Sequence, residues 1–461
     1  MSLAAIADWP WRRWQRSQPD ALAIDNGDKS LNWQQLAQAI DEQAAGFRLQ
    51  GVSAGDLVAV RSGNSLTALL AWLGLLACGA RVLGLNPQLP EPQLHQLLPG
   101  LGPDFVLNLS DSACLDFPAL ALLPAAGHGC ERWQPEKIAT LTLTSGSTGL
   151  PKAAAHTFAA HLHSAAAVVG LMSFTRDDRW LLSLPLFHVS GQGILWRWLL
   201  AGATLVIPDD GGFNQALERS SVASLVPTQL WRLLHQPALP ASLRAVLLGG
   251  AHIPAELTRR AEAAGLHCYC GYGMTETAST LCARRAGDLP GVGAPLTGHQ
   301  VRVVAGEIWV RSPALAAGYW LNGSLRPLAG GDGWLHTGDV GRWHRGELLL
   351  EGRRDNLFFS GGESVQPEQI ERIMLTHPAV TQVFVVPRAD SEYGQRPVAL
   401  VESTASLEEL ADWAAPKLAG YQRPVAWYPL PPASSGGIKR SRHQLREWVA
   451  NQAQLCLRSL A

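Results

Sequence analysis

The chain has 461 residues, 47% hydrophobic and 16% charged, which excludes a largely disordered protein and requires more than one packed domain. Its 37 basic and 38 acidic residues leave a net charge of -1, and no Lys/Arg block is present, so a nucleic-acid partner is not expected. The seven cysteines are scattered without a C-x-x-C pair, which supports neither a zinc ribbon nor a disulfide framework. The N-terminal residues lack the charged-then-apolar order of a secretory signal, and the longest apolar run, 68–80, is too short to span a bilayer. A cytoplasmic protein with free thiols and no membrane span is expected.

From the N-terminus, apolar strands alternate with helices. A helix is predicted over 32–48, a strand over 57–60, a buried helix over 65–78 and a strand over 81–85. Similar units recur at 180–184, 191–201, 203–207, 224–226 and 245–248. This rhythm predicts βαβ units, with helices on the faces of mostly parallel sheets. From about Gly298, short strands at 301–304, 307–310 and 347–350, punctuated by glycines at 330–333, predict a β-rich subdomain. A charged stretch, 351–356, precedes a fresh alternation at 366–376, 380–386, 397–401 and 406–419. The fold class is α/β: a large multi-sheet N-terminal domain over 1–353, including the β-rich subdomain, and a small α+β C-terminal domain over 354–461.

The segment LTLTSGSTGLPK, 141–152, takes an apolar strand into a run of small and hydroxyl residues and then Lys152. Glycines let backbone N–H groups approach an anion, hydroxyls add donors, and lysine adds a mobile positive charge. The helix-prone stretch 153–170 is expected to follow directly and to aim its positive end at a phosphate. The loop is not a Walker A motif, because proline stands where the glycine before the lysine would be required. The plain alternative is a surface loop. His156, His161 and His163 lack the intervening glutamate of a zinc-protease helix and read as packing or surface residues.

TSGSTGLPK resembles the phosphate-binding signature of the adenylate-forming superfamily, and further motifs similar to that superfamily's follow in order. The resemblance implies that Thr144, Ser145, Gly146, Ser147, Thr148, Gly149 and Lys152 bind ATP. Gly271-Tyr272-Gly273-Met-Thr275-Glu276 resembles the adenine and metal motif: Tyr272 against adenine, Thr275 on the α-phosphate, and Glu276 on Mg2+, with Thr148 as a second candidate. A carboxylate is the hard oxygen ligand Mg2+ favours. Thr337-Gly-Asp339 resembles the ribose motif, one carboxylate accepting from two vicinal hydroxyls. Gly352-Arg353-Arg354-Asp355 looks like the hinge, with Arg353 reaching ribose or phosphate and Asp355 the pivot; Arg354 is either a neighbouring contact or a solvated linker residue. Residues 435–445 resemble the motif of the catalytic lysine, although Ile438 stands where the family has glycine; counting back from Leu445 and Arg442 selects Lys439. The implied chemistry has two half-reactions, acyl-AMP formation and transfer to the thiol of coenzyme A, with the C-terminal domain as a mobile lid.

The acyl pocket is expected between Trp180 and Thr277. His188 fits the position near the reacting carboxylate, or is a hydrogen-bonded core histidine. Arg197 lies in an apolar segment, where it either extends to solvent or awaits an anion such as a second substrate carboxylate. Ser190, Gln192 and Thr228 add candidate hydrogen bonds. This text, with 8–12, 86–90 and 225–232, resembles the o-succinylbenzoate–CoA ligases of menaquinone synthesis, whose substrate is an aromatic dicarboxylate. The implied partners are a small acid, ATP, Mg2+ and coenzyme A; whether the chain is a homo-oligomer stays open. A ligase for a monocarboxylic acid keeps every nucleotide motif but leaves Arg197 without a partner.

Overall fold

In the computed structural model, the described residues run from 6 to 458, except 28, 111–114, 128, 145–151, 252, 288–290, 329–330 and 433–440, with side chains described as far as 452. The chain divides into two compact units: Met1–Val301 with Val310–Leu335, and Arg302–Trp309 with His336–Ala461.

The first unit contains two large sheets. The seven-stranded sheet has the order Ser324–Arg326, Gly318–Leu321, Lys152–Thr157, Ile138–Thr144, Arg81–Leu85, Leu57–Arg61, Phe105–Asn108. Its last four strands are parallel, and the rest add antiparallel. The eight-stranded sheet orders Ser279–Arg285, His267–Met274, Ala245–Leu248, Val222–Leu225, Arg179–Leu181, Thr204–Val206, Leu22–Asp25 and Leu31–Asn32. Its six central strands are parallel, with one antiparallel strand at each edge.

The helix expected immediately after Lys152 starts later. Lys152–Thr157 is a strand, paired on one side with Ile138–Thr144 and on the other with Gly318–Leu321, and the helix is Phe158–Met172. The alanines at 153–155 are helix formers by propensity, but they are fully buried in a strand paired on both sides, and that tertiary pairing overrides the preference. Thr157 then caps the helix, its hydroxyl accepting from the Ala160 N–H at 3.1 Å. The positive end of this helix is therefore a strand's length from Lys152.

Tryptophans build the centre of this unit. Trp9 stacks on Trp11 at 4.7 Å and meets Phe158 edge-on at 5.2 Å; Trp33 stacks on Trp198 at 5.4 Å. Trp14 donates to the Leu199 carbonyl at 2.7 Å. These contacts hold the C-terminal part of the helix Val189–Ala201, next to Arg197, at Trp198 and Leu199.

The second unit takes most of a four-stranded sheet, Gln300–Val304, Glu307–Arg311, Leu335–His344 and Glu347–Arg353. It also holds a sheet ordered Glu363–Val365, Phe358–Ser360, Gly394–Ser403 and Val380–Asp390, with Ala426–Pro429 beside Gly394–Ser403. Val385, Ala399, Ile370 and Leu410 form its core with the helices Pro367–Met374 and Leu407–Ala414. Among the described residues no helix is long and apolar enough to cross a membrane.

Candidate active site

The phosphate-loop motif leaves one strand and enters the next. Thr144 pairs with Lys152 across the ladder, and its hydroxyl donates to the Lys152 carbonyl at 3.2 Å, closing the base of the hairpin. Ser145, Gly146, Ser147, Thr148 and Gly149 lie outside the described residues, as does Lys439. The Lys152 ammonium sits over the Tyr319 ring, 5.2 Å from its centroid, and the Tyr319 hydroxyl donates to Glu276 Oε1 at 2.7 Å. Two paired strands and the turn Thr275–Thr277 thus bring the lysine of one motif and the carboxylate of another onto one tyrosine. Glu276 and Tyr319 are 43 residues apart, and nothing in the local sequence marked Tyr319.

The adenine and metal motif occupies the end of the strand His267–Met274 and the turn Thr275–Thr277. Tyr272 is buried and Glu276 half-buried. Gly271 lies close against Leu248 and Thr280, and a Cβ on Gly273 would overlap the Ser279 carbonyl oxygen. The chain then passes through two positive-φ residues, Ala278 at 52° and Ser279 at 124°. Such backbone costs about 1–3 kcal/mol per residue and persists only when the surroundings impose it. Thr277 does so: its hydroxyl is 3.2 Å from the Met274 N–H, 3.1 Å from the Met274 carbonyl and 3.0 Å from the Ser279 carbonyl.

This strained turn delivers Ser279 and Thr280 to Arg197. The guanidinium is 1% exposed, and Nη2 donates to Ser279 Oγ at 2.9 Å and Thr280 Oγ1 at 3.4 Å. Trp180 lies under it at 5.2 Å, and Nε is buried without a partner. No carboxylate among the described residues pairs with it, and burial alone pushes its pKa down to about 9. The solvent-reaching alternative for Arg197 is thereby excluded. Gly193 leaves room for it, because a Cβ there would stand 3.0 Å from both Arg197 Nη2 and Ser279 Oγ. Ser279 and Thr280 were missed from sequence even though only Ala278 separates them from the T-E-T motif.

The other pocket candidates differ in character. His188 is the residue before the helix Val189–Ala201; its half-buried ring lies 4.7 Å from Phe187. Ser190 and Thr228 are half-buried. Gln192 does not fit the ligand contact expected of it. It is fully buried, its Oε1 accepts from Thr140 and Thr142 at 3.2 Å each, and its Nε2 donates to the Leu186 carbonyl at 3.0 Å. With both ends of the amide engaged, it ties the helix of Arg197 to the phosphate-loop strand. His161 extends this network, 2.7 Å from Thr140 and stacked on Trp196 at 5.3 Å, and its ring lies 5.1 Å from that of His156. Burial pushes His156 down to about 4 and His161 well below its usual value, so both are neutral packing residues. Among the described residues no group of three metal-ligating side chains forms.

In the second unit, Asp339 is buried and accepts from Arg353 Nη1 at 2.9 Å, while Arg353 Nη2 donates to Asp355 at 3.1 Å. Burial pulls the Arg353 guanidinium down, but the facing carboxylates Asp339 and Asp355 outweigh it and hold the pKa above the usual value. Thr337 braces the turn, its hydroxyl donating to the Ile308 carbonyl at 2.7 Å and accepting from the Asp339 N–H at 3.0 Å. Gly338 adopts φ 71°, where a Cβ would stand 3.1 Å from Arg353. Arg354, 71% exposed, pairs instead with Glu307 at 3.2 Å, as a solvated linker residue would.

Residues 11–320 match the AMP-binding enzyme family, and residues 369–436 match the AMP-binding enzyme C-terminal domain. The 2-succinylbenzoate–CoA ligase of Escherichia coli (strain K12) is 52% identical over 451 residues, covering 97% of this chain and 99% of that protein. A variant of E. coli MenE with bound OSB-AMS is similar at a TM-score of 0.90 and 50% identity, over 96% of this chain and 99% of that one. Bacillus subtilis MenE in complex with ATP and magnesium ion is similar at a TM-score of 0.84 and 28% identity, over 95% and 99% of the two chains. The chain belongs to the AMP-binding enzyme family.

Proposed function

We propose that this chain is an AMP-forming acid–thiol ligase that activates 2-succinylbenzoate with ATP and transfers it to coenzyme A, a step of menaquinone biosynthesis. The observation that carries the substrate assignment is Arg197. A buried guanidinium with two hydroxyl partners and no carboxylate among the described residues is costly unless an anion completes it. The aryl carboxylate of 2-succinylbenzoate, which is not activated, supplies that anion; benzoate and fatty acids have no second carboxylate. The relatives at 52% identity and at a TM-score of 0.90 support the same reading by their names and ligands.

In the first half-reaction a succinyl carboxylate oxygen attacks the α-phosphorus of ATP, the bond to the β-phosphate breaks, and pyrophosphate leaves. Arg197, with Ser279 and Thr280 behind it, anchors the far end of the acid, and His188, Ser190 and Thr228 surround the near end. Lys152 and the hydroxyls of 144–148 hold phosphate oxygens, Tyr272 backs the adenine, and Thr275 donates to the α-phosphate. Magnesium, when bound, neutralises charge on the nucleotide phosphates. The half-buried Glu276 carboxylate suits it as a hard oxygen ligand, with the Thr148 hydroxyl as a second candidate. Asp339 takes the ribose hydroxyls, Arg353 orients Asp339, and Lys439 offsets charge at the attacked phosphorus. In the second half-reaction the coenzyme A thiolate attacks the acyl carbon and AMP leaves, after the C-terminal residues 354–461 turn about Asp355. Cys78, Cys268 and Cys270 are buried free thiols, which suits a reducing, cytoplasmic location.

The test is a panel of acids with ATP, Mg2+ and coenzyme A, following AMP and CoA esters by mass. Selective turnover of 2-succinylbenzoate, lost on Lys439→Ala, is expected. Preferred turnover of benzoate or octanoate would retain the adenylation chemistry and reject the dicarboxylate.

A further inference from the structure

The geometry points to Tyr319 as a positioning residue that sets the metal-binding carboxylate and the phosphate-loop lysine in register, an inference that rests on Glu276 being the Mg2+ ligand. The segment around it joins the two motifs at four points. The Ala316 N–H donates to the Glu276 carbonyl at 2.8 Å, and the Ala317 N–H donates to the Ala155 carbonyl at 2.8 Å. Tyr319 pairs with Ala154 in the ladder, and Trp320 pairs with Ala153 next to Lys152. From that strand the half-buried Tyr319 side chain reaches both charged groups at once: its hydroxyl donates to Glu276 Oε1 at 2.7 Å, and its ring face holds the Lys152 ammonium at 5.2 Å.

The two contacts have different consequences. A phenol donating to one carboxylate oxygen fixes the rotation of the carboxylate, so that Oε2 is presented for an inner-sphere cation contact. Partners of this kind behind a metal ligand typically change metal affinity by 10- to 100-fold. The ring keeps Lys152 near the carboxylate without a direct ion pair, because the ammonium rests on the π face and stays free to move to a phosphate. A direct Lys152–Glu276 bridge would occupy both groups that the nucleotide needs.

The experiment is ATP binding without acid, followed by calorimetry across a Mg2+ titration. Tyr319→Phe keeps the ring and removes the donor. The Mg2+ concentration at half-maximal ATP binding is expected to rise about 10-fold, with ATP affinity recovered at saturating Mg2+. Tyr319→Leu removes the ring as well, and its ATP affinity is expected to stay below wild type at saturating Mg2+, because Lys152 loses its seat. A Tyr319→Phe midpoint equal to wild type would overturn the proposal. Glu276→Gln separates the two ideas: if it too leaves the Mg2+ midpoint unchanged, the metal assignment of Glu276 falls and takes the role of Tyr319 with it.

Discussion

Arg353 donates to Asp339 with one guanidinium nitrogen and to Asp355 with the other, so the carboxylate assigned to the ribose is tied, through one side chain, to the residue assigned to the hinge. Asp339 is 9% exposed, and its backbone N–H is fixed by the Thr337 hydroxyl. Charge-assisted hydrogen bonds are worth about 1.5–3 kcal/mol each. Asp339→Asn should therefore raise the ATP KM about 10- to 100-fold, and Arg353→Gln should do so less, since it removes only the orienting partner. A Kd for ATP unchanged in Asp339→Asn would remove this residue from the nucleotide site.

The nucleotide motifs were legible because each is contiguous and its chemistry lies in residue type: hydroxyls, glycines, one lysine, one carboxylate. Arg197 was also legible, because a guanidinium in an apolar helix raises the question of its partner. What could not be read were contacts set by tertiary pairing. Tyr319 matters because Gly318–Leu321 lies beside Lys152–Thr157, and Ser279 reaches Arg197 only through two positive-φ residues. The same pairing turned an alanine-rich stretch from the expected helix into a strand, and Gln192 from an expected substrate contact into an internal tie.

Arg197 separates stability from function in a way that a packing residue would not. Replacing a buried ion pair by apolar side chains of similar volume is often neutral or stabilising by about 1–4 kcal/mol, and a buried charge facing no carboxylate gives up less attraction still when it is removed. Arg197→Met is expected to raise the melting temperature of the free protein by a few degrees while lowering kcat/KM for 2-succinylbenzoate at least 100-fold. Adenylation of a monocarboxylate, where measurable, should fall far less. If Arg197→Met melts several degrees below wild type, the arginine serves the fold rather than the substrate.

Three buried histidines predict acid sensitivity. Burial pushes His156 and His299 down to about 4, and His161 well below its ordinary value, whereas in the unfolded chain each titrates near 6.5. Below 6.5 the unfolded state binds more protons, so stability is fully present above that pH and is lost as pH falls from 6.5 toward 4. Each such group contributes about 1.4 kcal/mol per pH unit within the window. Denaturant midpoints measured from pH 7.5 to 5 should fall steeply below 6.5, and His161→Gln should reduce the slope by one proton. A profile equally steep in His161→Gln would assign the acid transition to other groups.

In the second unit, Arg442 and Glu371 form a bidentate pair at 2.6 and 2.7 Å, and both are largely buried. Burial pushes the Glu371 carboxyl up despite the arginine facing it, while Arg442 is held above its usual value because Glu371 and Glu368 outweigh its burial. The Arg442 guanidinium also donates to the Val385 carbonyl at 2.9 Å, and Glu371 Oε1 accepts from the Val385 N–H at 2.6 Å. The pair therefore pins the start of the helix Arg442–Arg458 to the strand Val380–Asp390, where Leu445 and Val449 complete a small core with Val386, Val398 and Leu400. Glu371→Ala leaves a buried cation with only the longer Glu368 contact, at 3.4 Å, and should cost up to about 3–5 kcal/mol, whereas the double replacement Glu371→Met with Arg442→Leu should cost much less. Hydrogen exchange would read this locally: amides of the helix Arg442–Arg458 should lose protection in Glu371→Ala and regain most of it in the double variant. Equal loss in both variants would mean that the ion pair itself, not the removal of an uncompensated charge, holds the helix in place.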